Sequence, residues 1–166
     1  MAAWTRDNQT NNQEKRKAGL MVLYKDFLKT VKKCPFCHDS NRIILENKYA
    51  FLTYALAPYS SHHLLIIPRR HVKSFTDLNK KEEKAISDLL ESGVKMLHKY
   101  GCKNCSILVR DGGDKMKSVE HLHYHIIPNH RIGDLDNKGK PRKIVNEKQI
   151  EKIMKDMDRC LKDIGK

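Results

Sequence analysis

The stretch HLHYHII, residues 121–127, places three histidines at every second position and fills the gaps with apolar or aromatic side chains. Alternate side chains of a β-strand share one face and lie about 6.6 Å apart, so His121, His123 and His125 are expected to line one face of a strand. A face made wholly of imidazole predicts a functional site. Two kinds remain open: a metal site in which these rings bind one ion, and a site in which the central ring attacks phosphorus.

The segment just before the histidines favours phosphate chemistry. It reads DGGDKMKS, residues 111–118, and combines two adjacent glycines with two lysines. Lys115 and Lys117 can meet negative charge, and the glycine backbone can approach an anion closely. Ser118 lies three residues before His121 and offers a hydroxyl donor.

The composition favours an anionic partner. The chain has 166 residues and a net charge of +13, which suits phosphates, nucleotides or nucleic acid, although a solvated basic surface would look the same. No apolar run approaches the roughly 18 residues of a membrane span, and no signal peptide is recognisable, so a cytoplasmic protein without a membrane partner is expected. Five cysteines, an odd number, predict thiols that are free or bound to metal.

The order of elements predicts one α+β domain built on an antiparallel sheet. Residues 1–15 read as a flexible arm, and residues 16–166 as a single domain with a motif-bearing core at 34–130. Helices are expected before the first cysteines, after Asn79, whose capping box with Glu82 marks a start, and at about 146–164. Strands are expected in the segments IILENKYAFLTYAL (a hairpin), HLLIIP, CSILVRDG and VEHLHYHIIP.

Three segments together resemble the histidine-triad (HIT) superfamily of nucleotide hydrolases and transferases. The His-x-His-x-His signature with two apolar residues after it is complete at 121–127; HLLIIPRRH (63–71) resembles the family's strand ending in Ile-Pro, and 109–128 its phosphate loop and triad strand. The resemblance implies a HIT-like fold, with about five antiparallel strands, flanking helices and here an added C-terminal helix. It also implies a homodimer.

The resemblance also implies roles for individual residues. His123 would attack the α-phosphorus of a nucleotide and form a covalent nucleotidyl-histidine, while His125 and Ser118 contact the phosphate or the leaving group. The expected enzyme is a nucleotide hydrolase or nucleotidyltransferase. Its substrate would be a dinucleoside polyphosphate or another nucleotide phosphoanhydride or phosphoramidate.

Two positions depart from the family pattern. Arg110 replaces an Asn or Gln and, with Lys115 and Lys117, is assigned to phosphate binding, which favours a substrate rich in phosphate. Ala55 replaces the Asp or Asn that grips ribose, and alanine has no hydrogen-bonding group. How a ribose would be held is therefore left open.

The motif Cys34-Pro-Phe-Cys37-His38 has three interpretations: a haem attachment site, a redox pair, and half of a zinc site. Resemblance to the zinc-bearing branch of the superfamily implies a structural zinc held by Cys34, Cys37, His63 and His121. A second pair, Cys102 and Cys105, could instead complete a site made only of thiolates. The remaining histidines are expected at the surface, with His62 an alternative to His63 as ligand: His38, His62, His71, His98 and His130.

Three other functions compete with the first. One is an enzyme of the same fold that processes nucleic-acid ends, which the charge allows. Another is a non-catalytic module that binds nucleotide or RNA, for which the altered ribose position would be a sign of lost turnover. The third is a metallohydrolase in which all three histidines of 121–127 surround an open metal.

Overall fold

The computed structural model describes residues 24–38, 42–112 and 117–129. Four sequence-based predictions lie outside these ranges: the N-terminal arm at 1–15, the C-terminal helix at 146–164, the position of Lys115, and the surface position of His130.

Five antiparallel strands form one sheet, as the sequence predicted. They are β1 (Ile43–Glu46), β2 (Ala50–Tyr54), β3 (Leu64–Pro68), β4 (Cys105–Val109) and β5 (Tyr124–Pro128), in the spatial order β1-β2-β3-β5-β4. β1 and β2 make the predicted hairpin, whereas β3 pairs with β5 across a long stretch of chain. The central position of β3 and β5 buries every residue of both strands.

Within the described ranges, two helices and a short 3-10 turn accompany the sheet. They are α1 (Tyr24–Thr30), the 3-10 turn (Phe75–Asp77) and α2 (Lys80–Lys99). α2 begins at the predicted capping box: the Asn79 side chain accepts from the backbone amides of Lys81 and Glu82, and the Glu82 carboxylate accepts from the Asn79 amide. None of the helices in residues 24–38, 42–112 and 117–129 has the length and apolarity needed to span a bilayer.

The two faces of the sheet carry different clusters of buried side chains. The face that packs on α2 holds Leu52, Leu64, Ile66 and Ile126 together with apolar residues of the helix. The alternate residues of the same strands, among them Phe51, Leu65 and Ile67, form a second cluster with Phe36. His125 pairs with Leu65 in the β3/β5 ladder and so lies on the face away from α2, where an imidazole can meet a ligand.

The strand that carries the three histidines begins later than the sequence predicted. Pairing starts at Tyr124, so His121 and His123 precede the ladder. Leu122 donates its amide to the carbonyl of Val72, in the connection after β3, at 2.8 Å. The histidine segment is therefore held partly by the sheet and partly by the chain that leaves β3.

Gly93 sets how closely α2 approaches the sheet. A Cβ built on this residue would lie 2.7 Å from the Cδ1 atoms of both Ile126 and Leu52. Contacts this short require the two core side chains to move, and a packed core resists that movement. Glycine at this position allows the helix backbone to lie directly on β2 and β5.

Replacing Gly93 with valine is expected to destabilise the fold by about 1–3 kcal/mol, because overpacked cores lose about that much. The measurement is urea unfolding followed by far-UV circular dichroism. Ser87→Val is the matched control, since Ser87 lies on the exposed side of the same helix. Equal unfolding free energies for the two variants would mean that α2 does not pack through Gly93.

Candidate active site and metal cluster

The hydrogen bond of His123 fixes which of its nitrogens carries the proton. Nδ1 lies 2.8 Å from the carbonyl oxygen of His121, and a carbonyl can only accept. The proton of the neutral ring is therefore on Nδ1, and Nε2 keeps its lone pair. The edge of the Phe36 ring contacts this imidazole at 5.0 Å between centroids and helps to hold its orientation.

His125 has the opposite tautomer, with its proton on Nε2, because His63 donates a hydrogen bond to its Nδ1. The amide of Tyr59 donates to Nδ1 of His63 at 3.2 Å, so a neutral His63 carries its proton on Nε2. That nitrogen lies 3.0 Å from Nδ1 of His125 and donates to it, which leaves the proton of His125 on Nε2. The Tyr59 ring stacks on His63 and completes the arrangement.

The rings of His123 and His125 are both held in the neutral form. Burial, with the nearby His123, His63 and Arg110, lowers the pKa of His125 to about 3. Burial also lowers the pKa of His123, and the positive charges of Lys117 and Arg110 act in the same direction, against the opposing effect of the His121 carbonyl. At neutral pH the site therefore offers an imidazole lone pair beside an imidazole N–H donor.

A pocket of about 300 Å³ opens over these rings, which is within the range of small-molecule sites. Its lining combines aromatic, cationic and hydroxyl groups with the histidines: Tyr24, Phe27, Phe36, Tyr59, Arg42, Arg110, Lys117, Ser118, His63, His123 and His125. Within the described ranges no acidic side chain lines it. The carboxylate of Asp111 instead accepts from the Ser74 hydroxyl and the Phe75 amide. The pocket therefore suits an anion.

The residues assigned to phosphate and leaving group lie in this pocket, with Lys115 outside the described residues. Arg110 donates to the Tyr59 hydroxyl at 3.3 Å. Lys117 is only 9% exposed and donates to the carbonyl of Lys73 at 2.6 Å. Ser118 is exposed, and its hydroxyl is 3.4 Å from that of Tyr24.

A second cluster gathers two thiols and two imidazoles. The ligand atoms of Cys34, Cys37, His71 and His121 all lie within 4.8 Å of one another. Nδ1 of His121 is 3.4 Å from Sγ of Cys34 and 3.6 Å from Sγ of Cys37, and Nδ1 of His71 is 3.3 Å from Sγ of Cys37. Three of the four expected ligands are thus brought together.

His63 is not part of this cluster. His71 occupies the position in the ligand set that the sequence analysis gave to His63. The cause is the register of β3 and β5, in which Leu65 pairs with His125 and Ile66 with Tyr124. Continued in the same register, His121 falls opposite residue 69, which is about 20 Å along the strand from His63. His121 accordingly contacts the far end of β3, where its Nε2 donates to the Pro68 carbonyl at 2.9 Å.

The cluster fits a tetrahedral zinc ion. Zinc bonds of about 2.3 Å to sulfur and 2.0 Å to nitrogen give sulfur–nitrogen edges of about 3.5 Å, close to the three distances above. The Pro68 carbonyl holds the His121 proton on Nε2 and leaves Nδ1 free to bind, the usual outer-shell arrangement for a histidine ligand. Burial, with the neighbouring His71, lowers the pKa of His121 to about 4, which keeps that ring neutral.

The geometry disfavours two of the alternatives drawn from the sequence. Among the described residues, the group that can converge on one ion contains His121 but neither His123 nor His125. A metallohydrolase built on all three histidines would need these rings to converge. Cys102 and Cys105 are likewise outside that group, which disfavours a site made only of thiolates.

Comparison with known proteins agrees with this geometry. The HIT domain family matches residues 38–132. The chain belongs to the HIT family. A bifunctional bis(5'-adenosyl)-triphosphatase/adenylylsulfatase from Arabidopsis thaliana is 28% identical over 137 residues, 78% of this chain and 74% of that protein. A nitrilase and fragile histidine triad fusion protein from Caenorhabditis elegans is 30% identical over 115 residues, 68% of this chain but only 26% of the fusion.

The fold is shared with solved HIT structures. The histidine triad nucleotide-binding protein from Candida albicans superposes with a TM-score of 0.66 at 18% identity, covering 80% of this chain and 99% of that one. At this identity the likeness concerns the fold alone. The family match confirms the sequence-based resemblance, and the five-stranded antiparallel sheet with the shared fold confirms the fold class.

Several residues of the site were missed or undervalued from the sequence. His71 is exposed, as the sequence predicted, but its place in the cluster was missed: its position three residues after Pro68 brings it beside His121 once the strand register is known. Tyr59, Phe36 and Arg42 reach the pocket from connecting segments, and no spacing pattern marks them.

The two tautomers can be measured directly. Two-bond proton–nitrogen correlation spectra of ¹⁵N-histidine-labelled protein at pH 7 are expected to show His123 protonated on Nδ1 and His125 on Nε2. His125 should remain neutral at pH 5, because burial and its neighbours oppose its charged form, whereas histidines of the urea-unfolded chain titrate near pH 6.5. A His125 signal that titrates near 6.5 in the folded protein would contradict the buried pair with His63.

Proposed function

We propose that this protein cleaves or transfers nucleotidyl groups through a covalent intermediate on His123. The observation that carries the proposal is the unprotonated Nε2 of His123, fixed by the Nδ1 hydrogen bond to the His121 carbonyl, in a pocket lined by cations. A neutral imidazole nitrogen is a good nucleophile near neutral pH. The HIT family membership and the presence of Ser118 in the same pocket support it further.

The reaction would proceed in two displacements. In the first, the Nε2 lone pair of His123 forms a bond to the α-phosphorus, the bond from phosphorus to the departing oxygen breaks, and that oxygen keeps the electron pair. In the second, water or another acceptor attacks phosphorus, loses its proton to solvent, and the phosphorus–nitrogen bond returns its electrons to His123. His125 would donate its Nε2 proton in a hydrogen bond to a phosphate oxygen in both steps.

The charge of the pocket favours a substrate with more than one phosphate. Arg110 and Lys117 bring two positive charges close enough to the triad to lower the pKa of His123. An oligophosphate chain would meet these cations while its α-phosphorus lies at His123. A dinucleoside polyphosphate or another nucleotide phosphoanhydride or phosphoramidate fits this arrangement. The name of the Arabidopsis relative, a bis(5'-adenosyl)-triphosphatase, agrees with a nucleotide hydrolase.

Ala55 gives the pocket an apolar surface where the family pattern places a ribose-binding group. It is only 2% exposed and lines the pocket. A sugar at this position would lose a carboxylate or amide partner for its hydroxyls. Weak discrimination between ribose and deoxyribose follows, which leaves processing of nucleic-acid ends as a second function compatible with the net charge of +13.

We further propose that Cys34, Cys37, His71 and His121 hold a structural zinc. Four protein ligands fill a tetrahedral shell and leave no position for substrate, so the ion would stabilise the fold and take no part in the chemistry. The sequence-based ligand set is thereby changed at one position, from His63 to His71. The ligand distances and the tautomer of His121 support the change.

A homodimer is also proposed. β4 forms one edge of the sheet, and Ile107 on this strand is 48% exposed. An edge strand with an exposed apolar residue can pair with a second copy of the chain. Sedimentation analysis would test this directly.

Replacing His123 with alanine is expected to reduce turnover of diadenosine triphosphate at least ~10³-fold, because the nucleophile is removed. In the parent protein, quenching with alkali during turnover should trap a nucleotidyl adduct, found by mass spectrometry as an acid-labile mass on His123. His98→Ala is the control, since His98 is exposed on α2. Turnover that survives in His123→Ala, or that depends on a chelatable ion without any adduct, would refute the mechanism.

Metal content distinguishes the two ligand sets. Cys34→Ser and His71→Ala are expected to lose the zinc that co-purifies with the parent protein and to unfold at lower temperature, because metal binding energy is folding energy. His63→Phe and Cys102→Ala should keep the metal. The measurement is inductively coupled plasma mass spectrometry with thermal unfolding. Retention of zinc in His71→Ala together with its loss in His63→Phe would restore the original set.

A further inference from the structure

Helix α1 lies outside the region that matches the HIT family, yet it forms part of the pocket. The family match begins at residue 38, whereas α1 spans Tyr24–Thr30. Tyr24 and Phe27 of this helix line the same pocket as His123 and Ser118. A segment outside the matched region therefore contacts the place where a substrate would bind.

The helix is held to the domain by one apolar face. Tyr24, Phe27, Leu28 and Val31 follow the spacing of a single helical face. The rings of Tyr24 and Phe27 stack at 6.3 Å between centroids, and Leu28 packs against the cluster that contains Phe36. The Leu28 contact holds α1 against the domain, and Tyr24 itself lines the pocket.

The hydroxyl of Tyr24 approaches the hydroxyl of Ser118 at 3.4 Å. Hydrogen bonds of catalytic sites are often long before substrate binds and shorten in the complex. A serine hydroxyl can both donate and accept, and its proton rotates to suit its surroundings. A phenol that donates to Ser118 occupies one lone pair and leaves the serine proton to point elsewhere.

We propose that Tyr24 is a positioning residue that aims the hydroxyl of Ser118 at the leaving group. This inference rests on the proposed function and on the expectation, drawn from the family resemblance, that Ser118 contacts the phosphate or the leaving group. When the phosphorus–oxygen bond breaks, the departing oxygen takes the electron pair and gains negative charge. The Ser118 proton stabilises that charge through a hydrogen bond, and the Tyr24 proton stays on its own oxygen, bonded to Ser118.

The dependence on the leaving group tests this role. The probes are the p-nitrophenyl and phenyl esters of adenosine 5'-phosphate, since phenolate departs less readily than p-nitrophenolate and needs more stabilisation. Tyr24→Phe keeps the ring and removes only the hydroxyl. It is expected to lower kcat on the phenyl ester by about 5–20-fold, with KM unchanged and with less than about a twofold effect on the p-nitrophenyl ester. Tyr100→Phe is the control, because Tyr100 is 71% exposed and contacts His62.

A double-mutant cycle with Ser118→Ala separates positioning from a structural effect. If Tyr24 acts through Ser118, the double variant is no slower than Ser118→Ala alone. Additive losses, equal losses on both esters, or no loss would overturn the inference. A parent protein that turns over neither ester nor diadenosine triphosphate would overturn the proposed function and this inference with it, whereas an active parent with an unaffected Tyr24→Phe overturns this inference alone. Thermal unfolding within about 2 °C of the parent verifies the fold of each variant.

Discussion

The antiparallel register of β3 and β5 determines where every histidine of the site lies. With Leu65 opposite His125, the ring of His63 meets the ring of His125 at one end of β3. The same register brings His121 to the other end, beside the Pro68 carbonyl and His71. A shift of one residue would turn His125 toward α2 and remove its ring from the pocket. Both clusters are therefore consequences of one strand pairing.

Different hydrogen bonds give the imidazole rings of His123 and His125 different tautomers, and therefore different chemical properties. Nδ1 of His123 donates to the His121 carbonyl, so Nε2 of His123 keeps a lone pair. Nδ1 of His125 accepts from His63, so Nε2 of His125 keeps a proton. The cations at positions 110 and 117 oppose protonation of His123, and the carboxylate of Asp111 is occupied by Ser74 and Phe75. A ring nitrogen with a free lone pair and a ring N–H donor thus lie side by side, both on uncharged imidazoles, in a pocket that attracts anions.

The sequence was sufficient for what depends on local pattern. The capping box at Asn79 and the positions of all five strands follow from residue spacing, and the structure agrees with each except for the late start of β5. The sequence could not predict whether His63 or His71 contacts His121. Both histidines flank the same strand, and only the long-range register of β3 and β5 decides which one faces His121. The sequence also could not predict that Tyr59 and Phe36 contact the site, because they lie in connecting segments that have no periodic pattern.

His121 connects the cluster of Cys34, Cys37 and His71 to His123 through three separate contacts. Its Nδ1 faces the two thiols, its Nε2 donates to Pro68, and its carbonyl accepts the proton that fixes the tautomer of His123. A backbone carbonyl can orient a neighbouring ring only as well as its own residue is held, and here the residue is held by its side chain from both nitrogens. In the proposed mechanism the thiols would therefore act on His123 indirectly, by fixing the peptide group to which its ring is hydrogen-bonded. If the cluster holds the proposed zinc, this coupling connects a site with no open position for substrate to the proposed reaction.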